Sequence, residues 1–373
     1  MSTGTPSDTP GIGPRPVVAR LPRYVAGKPP VEIPGLRSYK LSSNENALDP
    51  LPEVLAAIAG QRDINRYPDS LATVLREAVG GFLGVPADDV VAGAGSLGAL
   101  NQVLAAFAGQ NADGSQDEVV YAWRSFEAYP ISVGLAGACG IQVPLRPDGT
   151  HDLAAMAAAV TPRTRVVLLC TPNNPTGPVL KMAETEAFLA GLPAQVLVVL
   201  DEAYLEFVRD PAAADGLGLY HRHPNVVLLR TFSKAHGLAG LRVGYSISHP
   251  QVTPYLRAAA TPFAVSTVAQ HAAVASLAHF GQVVERAQSI VDERGRVVRG
   301  LAGLGWDIPE AQGNFVWLPL GGRSAGFAGL AQARALSVRA FDGDGVRVTI
   351  GEPEANTRFL ELCASYTKEP AGS

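Results

Sequence analysis

The chain of 373 residues lacks the sequence features of disulfide-rich secreted domains, membrane-spanning proteins and basic nucleic-acid-binding proteins. Its three cysteines, Cys139, Cys170 and Cys363, form neither a CxxC pair nor an even disulfide framework. A disulfide-stapled secreted domain is therefore excluded, and a reducing, cytoplasmic setting is expected. No run of 18 apolar residues occurs, so no membrane-spanning helix is predicted.

Strong charge of one sign is also missing. The net charge is −4 and charged residues make up 17% of the chain, so no basic face for nucleic acid is expected. His221 and His223, in a predicted loop, have no carboxylate or cysteine nearby in sequence, so no metal site is predicted. Residues 1–18 are rich in Pro, Gly, Ser and Thr and lack the apolar core of a signal peptide. This tail is expected to be disordered.

What the chain does have is apolar runs, at residues 166–169, 196–200 and 226–229. They are leucine-rich or β-branched and continuous rather than alternating. This pattern is typical of strands buried on both faces of a parallel sheet. The sequence therefore predicts an α/β fold with a mostly parallel sheet between helices.

A polar residue follows each of these runs. Asn174 and Asp201 are 27 positions apart, and Asp201 and Lys234 are 33 apart, each about one βαβ unit. Ligands of open α/β sheets bind at the carboxyl ends of the strands. We therefore expect Asn174, Asp201, Tyr204 and Lys234 to share one crevice.

These residue types suit pyridoxal 5'-phosphate (PLP). Lys234 would hold the cofactor aldehyde as a Schiff base and then serve as the base that moves a proton at the substrate α-carbon. Asp201 would pair with the pyridine nitrogen, while Asn174 and Tyr204 would donate to the ring oxygen. Taken singly, Lys234 could be a solvated lysine and Asp201 a helix cap. Their joint spacing favours the catalytic interpretation and predicts transfer of an amino group.

The motifs Asn174-Pro-Thr-Gly, Asp201-Glu-Ala-Tyr and Ser233-Lys with Arg242 resemble those of the fold type I PLP aminotransferases. Further motifs narrow the resemblance. Residues 41–46, 66–69 and 347–351 are similar to the histidinol-phosphate aminotransferase family. Residues 121–130 and 314–319 are closer to its actinobacterial aromatic amino acid (phenylalanine) aminotransferase branch. The resemblance covers roughly residues 20–365.

The resemblance implies a cradle for the cofactor phosphate. Gly95, Ser96 and Leu97 would present N–H groups, at the start of a helix predicted over residues 96–107. Ser233 and Arg242 would complete the cradle, with the arginine as a bidentate partner.

Other residues are assigned by the same resemblance. Phe126 would stack on the cofactor ring. Tyr67 would reach the phosphate of the neighbouring subunit and so require a homodimer, although residues 67–69 alone predict only a turn. Arg347 would bind the substrate α-carboxylate. Asn44 and Tyr24 would belong to a mobile N-terminal segment that closes over the substrate.

The substrate side chain is the open question. Histidinol phosphate would need a further cation, but residues 314–320 offer only Phe315, Trp317 and other apolar residues, either as a pocket wall or as core. Burying an unpaired phosphate there would be costly. The expected substrates are Phe, Tyr or Trp with a 2-oxo acid such as 2-oxoglutarate. Histidinol-phosphate transamination is the first alternative, and a PLP-dependent decarboxylase or lyase is the second.

The expected organisation is a tail (1–18), an N-terminal arm that packs with the small domain (19–47), a large PLP-binding domain (48–255) and a small α+β domain (256–373). The small domain is predicted to contain helices over 268–278 and 283–301 and strands over 315–318 and 346–350. Three departures from the family pattern, Ala47, His236 and Gly313, are expected to affect the entrance loop and side-chain preference.

Overall fold

The structure is a computed structural model that describes residues 15–366. Its larger sheet has seven strands in the order β2-β8-β7-β6-β5-β3-β4. All are parallel except β8, which runs antiparallel to β2 and β7. The strands are β2 (Val90–Gly93), β3 (Glu118–Trp123), β4 (Cys139–Pro144), β5 (Thr164–Cys170), β6 (Leu197–Asp201), β7 (Val226–Thr231) and β8 (Gly244–Ile247).

The continuous apolar strands are buried on both faces, as predicted. In β5, Val167 and Leu169 join one hydrophobic cluster, whereas Val166 and Leu168 join a second one. Successive side chains of a strand point to opposite faces, so each cluster is the core on one side of the sheet. Helices cover both sides, which fixes the α/β class.

The smaller sheet has the order β1-β10-β11-β9. Its strands are β1 (Tyr39–Leu41), β9 (Phe315–Leu318), β10 (Leu336–Phe341) and β11 (Gly345–Thr349). The N-terminal β1 pairs in parallel with β10, and β10, β11 and β9 are antiparallel. The N-terminal segment that precedes the large sheet in sequence therefore adds a strand to the smaller sheet, whose other strands come from the C-terminal part of the chain.

The helices within the described residues are α1 (Pro16–Arg20), α2 (Pro52–Ala59), α3 (Thr73–Leu83), α4 (Gly95–Phe107), α5 (Ala128–Ala136), α6 (Leu153–Ala158), α7 (Met182–Gly191), α8 (Gly216–Arg222), α9 (Thr253–Ala259), α10 (Thr267–Ala278), α11 (Phe280–Gly303), α12 (Ser324–Gln332) and α13 (Pro353–Tyr366). Short 3-10 turns lie at Ala87–Asp89, Leu205–Phe207, Ala239–Leu241 and Gly321–Arg323. Within residues 15–366, no helix has the length and apolar character needed to cross a membrane.

Two local expectations differ from the structure. Residues 16–18 belong to helix α1 rather than to a disordered tail, because Leu21 packs on Gly134 and the Arg15 side chain donates to the Leu135 carbonyl. Residues 1–14 of that tail lie outside the described part. His221 lies in α8, not in a loop, and His223 caps its C-terminus.

Candidate active site

A cavity of about 390 Å³ lies between the carboxyl ends of the large sheet and the small sheet. Asp201 is the last residue of β6, and Lys234 and Asn174 follow β7 and β5. The structure brings most of the predicted residues to its wall: Tyr24, Ser96, Leu97, Phe126, Asn174, Asp201, Tyr204, Ser233, Lys234, Arg242 and Arg347.

One carboxylate oxygen of Asp201 accepts a hydrogen bond, and the other has no partner among the described residues. Its Oδ2 accepts a hydrogen bond of 2.9 Å from the Tyr129 hydroxyl, and its Oδ1 has no partner among residues 15–366. Burial raises the pKa of Asp201 to about 6. An unpaired, buried carboxylate oxygen is costly, and a cationic ring N–H would satisfy it. This oxygen fits the pyridinium nitrogen of PLP.

Lys234 is poised as an amine rather than as a permanent cation. Its Nζ donates to the carbonyls of Ser43 and Asn44, each at 3.3 Å. Burial lowers its pKa to about 7, and the charges of Arg347 and Arg242 act in the same direction. A lysine that loses its proton near neutral pH can act as a nucleophile and a base.

The other end of the cavity offers an anion cradle. Helix α4 begins at Gly95 without a side-chain cap, so its first N–H groups are free to bind an anion. The φ of Gly95 is +74°, and a Cβ there would lie 2.6 Å from Arg242 Nη2. Arg242 Nη1 lies 3.4 Å from Ser233 Oγ. Any larger residue at position 95 would fill the space between the start of α4 and the Arg242 guanidinium. Glycine leaves that space open, and its position between N–H donors and a guanidinium fits the cofactor phosphate.

Arg347 occupies the small-sheet side. Its Nη1 donates to Asn174 Oδ1 at 2.6 Å and its Nη2 to the Ser42 carbonyl at 2.7 Å. Its Nε has no partner within residues 15–366. Asn44 lies behind the cavity wall, fully buried, and its Nδ2 donates to the Tyr204 hydroxyl at 3.0 Å. The Tyr204 proton is therefore free to point into the cavity.

For Phe315 and Trp317, the structure decides between the two alternatives of pocket wall and core. Phe315 and Trp317 are core residues, because the Phe315 ring packs on Tyr204 and the Trp317 ring on Phe341. The cavity instead meets Phe341 and, next to it, a cation that the sequence did not reveal. This cation, Arg339, lines the cavity.

Tyr67 lies outside the cavity of its own chain. It is 83% exposed and its ring stacks on Phe263, with centroids 4.7 Å apart.

Two of the departures from the family pattern lie in packed surroundings. His236 is buried, with its Nδ1 2.7 Å from Ser276 Oγ. A Cβ on Gly313 would lie 2.5 Å from the Phe315 ring. These two residues are fixed by packing.

Sequence reasoning missed the role of Tyr129. The residue lies within the motif of residues 121–130, but nothing in the motif indicates that its hydroxyl faces Asp201. It is the second residue of α5, and Asp201 ends β6, so only the packing of this helix on the sheet brings them together. An aromatic residue three positions after Phe126, the predicted ring-stacking residue, was the available signal.

A low-pKa lysine, an open carboxylate oxygen and an anion cradle on this fold are the features of a PLP-dependent enzyme of fold type I. The chain belongs to the family "Aminotransferase class I and II", whose model matches residues 38–369. The predictions of the fold, the cofactor and the enzyme class are confirmed, and the substrates of such an enzyme are small amino and oxo acids.

Named relatives and a solved structure are similar over nearly the whole chain. The chain is 51% identical to the aromatic amino acid aminotransferase of Streptomyces avermitilis, over 94% of this chain and 96% of the relative. It is 52% identical to that of Thermobifida fusca, over 93% and 95%. The histidinol-phosphate aminotransferase of Sinorhizobium meliloti, solved in complex with pyridoxal-5'-phosphate, is 27% identical, with a TM-score of 0.82 over 95% and 97%.

Proposed function

We propose that the enzyme transfers the amino group of phenylalanine, tyrosine or tryptophan to a 2-oxo acid such as 2-oxoglutarate, reversibly. The observation that carries the proposal is the meeting of Lys234, Asp201 and Arg347 in one cavity. Relatives about half identical over nearly the whole chain, named aromatic amino acid aminotransferases, support the aromatic specificity.

Each residue then has a defined task. PLP, when bound, supplies an electron sink for negative charge at the substrate α-carbon. Asp201 keeps the ring nitrogen protonated, and Tyr204 and Asn174 donate to the ring oxygen. Asn44 orients Tyr204 through their hydrogen bond. Lys234 holds the cofactor and then moves the proton at the α-carbon.

Binding is divided between two ends of the cavity. Ser96, Leu97, Ser233 and Arg242, with Gly95 behind them, hold the phosphate. Phe126 stacks on the ring. Arg347 binds the α-carboxylate, and Tyr24, which is 57% exposed at the N-terminal arm, covers the substrate.

We also propose a homodimer with shared active sites, in which Tyr67 reaches the phosphate held by the partner. Its 83% exposure, next to exposed Ile64, Leu71 and Phe263, supports this role. The three free cysteines support a reducing, cytoplasmic setting.

The proposal is tested by the absorbance of the bound cofactor during titration with phenylalanine, tyrosine, tryptophan, glutamate and histidinol phosphate. Conversion of the lysine-bound form to the aminated form by aromatic amino acids, but not by histidinol phosphate, is expected. The reverse preference would identify a histidinol-phosphate aminotransferase, for which the cation Arg339 is the favourable observation. Spectral binding without amination would favour a decarboxylase or lyase.

A further inference from the structure

The cavity contains an ion pair that the proposed chemistry does not use. Arg339 Nη2 donates to both carboxylate oxygens of Glu127, at 2.9 and 2.6 Å. Both side chains line the cavity, and their exposed fractions are only 11% for Arg339 and 25% for Glu127. The pair is therefore largely removed from water and faces the substrate.

Arg339 also stands beside the proposed carboxylate-binding residue. In the antiparallel pair of β10 and β11, Arg339 lies directly opposite Arg347. Opposite residues of such a pair point to the same face, with Cα atoms about 4.5–5.5 Å apart. Two guanidinium groups thus lie side by side on one wall. A molecule with a carboxylate at each end matches this arrangement, whereas an amino acid with an aromatic side chain uses only one of the two.

The Glu127 carboxylate is available to pair with Arg339, because it is not used to cap a helix. It follows Phe126 and precedes helix α5, yet its side chain makes no capping hydrogen bond. When an aromatic side chain displaces water from the cavity, an unpaired Arg339 cation would be costly, and the Glu127 carboxylate removes that cost. A second carboxylate on the substrate could replace Glu127, which is the more exposed partner and can turn toward water.

We propose that Glu127 is a specificity-determining residue. It neutralises Arg339 while an aromatic side chain is bound and releases Arg339 to the distal carboxylate of a dicarboxylic amino or oxo acid. This inference rests on the proposed function, because it explains how one cavity accepts both partners of that reaction.

The test is a set of variants assayed with phenylalanine and glutamate as donors. Glu127→Gln keeps the size and removes the charge, so Arg339 is left for the substrate. The KM for glutamate divided by that for phenylalanine is expected to fall about tenfold, which is about 1.4 kcal/mol, with the change in KM rather than kcat. Glu127→Asp, which keeps the charge, should retain the wild-type ratio. Glu127→Gln combined with Arg339→Gln should lose the gain.

A matched control is Glu186→Gln, which makes the same change in a surface pair with Arg222 at 2.8 Å. An unchanged ratio in folded Glu127→Gln, or a gain that persists without Arg339, would overturn the inference. If Glu127→Gln does not fold, Arg339→Gln gives a second measurement. It should weaken inhibition by glutarate but not by 3-phenylpropanoate, and equal effects on both would overturn the inference.

Failure of the proposed function has a different signature. The wild-type enzyme would then not aminate its cofactor with phenylalanine at all. The change in KM for glutamate between wild type and Glu127→Gln would still report whether the pair controls Arg339. A lower KM for histidinol phosphate than for glutamate in Glu127→Gln would overturn the assignment of a distal carboxylate.

Discussion

The hydrogen bond between Tyr129 and Asp201 influences the pKa of the Asp201 carboxyl group. The Tyr129 hydroxyl donates to Asp201 Oδ2 and lowers the pKa of Asp201 against the opposing effect of burial. Tyr129→Phe should raise that pKa and weaken PLP binding about tenfold, because a hydrogen bond to a charged group is lost. Fluorescence titration of the apoenzyme with PLP measures this. Tyr121→Phe, which removes a buried hydroxyl bonded to Gln142 instead, is the control.

The lowered pKa of Lys234 predicts a pH dependence of stability. The folded apoenzyme loses this proton near pH 7, whereas the unfolded chain keeps it to about pH 10.4. Between these values the unfolded state binds more protons, so this residue makes the free energy of unfolding rise with pH. Denaturant unfolding of the apoenzyme from pH 7 to 10 should show a steeper rise for wild type than for Lys234→Met. Parallel curves would contradict the low pKa.

Predictability differs among single residues. Lys234, Asp201 and Asn174 could be placed from sequence because each lies at the end of its strand or a few residues after it. The Glu127–Arg339 pair could not, since its members are 212 positions apart and meet only where the small sheet covers the large one. The same holds for Tyr129.

At the scale of elements, the close contact of β8 with the start of α4 shapes the phosphate cradle. A Cβ on Gly244 would lie 2.5 Å from the Ser96 nitrogen and 2.8 Å from the Arg230 carbonyl oxygen. Since these are backbone atoms, Gly244→Ala must displace the helix start. We expect a loss of about 1–3 kcal/mol in stability and weaker PLP binding. Gly240→Ala, with open space around the new Cβ, is the control for thermal unfolding and PLP titration.

A strand or helix could be predicted where the burial of its residues leaves a pattern in its own stretch of sequence. The runs of β5, β6 and β7 are apolar throughout because both faces are covered, and this pattern is visible in the chain. Helix α1 was not visible, because its residues are ordered by packing on α5 rather than by their own composition.

At the scale of the whole molecule, the proposed dimer places Tyr67 in the partner's site. Tyr67→Phe should then speed PLP dissociation from the dimer, because a hydrogen bond to the phosphate is lost. Tyr255→Phe, another exposed tyrosine (60%), should leave dissociation at the wild-type rate. Equal rates for Tyr67→Phe and wild type, in a sample shown to be dimeric by sedimentation, would reduce Tyr67 to a turn residue.

Lys234 is proposed to direct transfer of the amino group of an aromatic amino acid. The most direct measurement is a single turnover of the PLP-loaded enzyme with phenylalanine and no oxo acid acceptor. We expect one equivalent of phenylpyruvate per subunit, no carbon dioxide, and no product from Lys234→Ala in the same time. Release of carbon dioxide, or equal phenylpyruvate formation by Lys234→Ala, would contradict it.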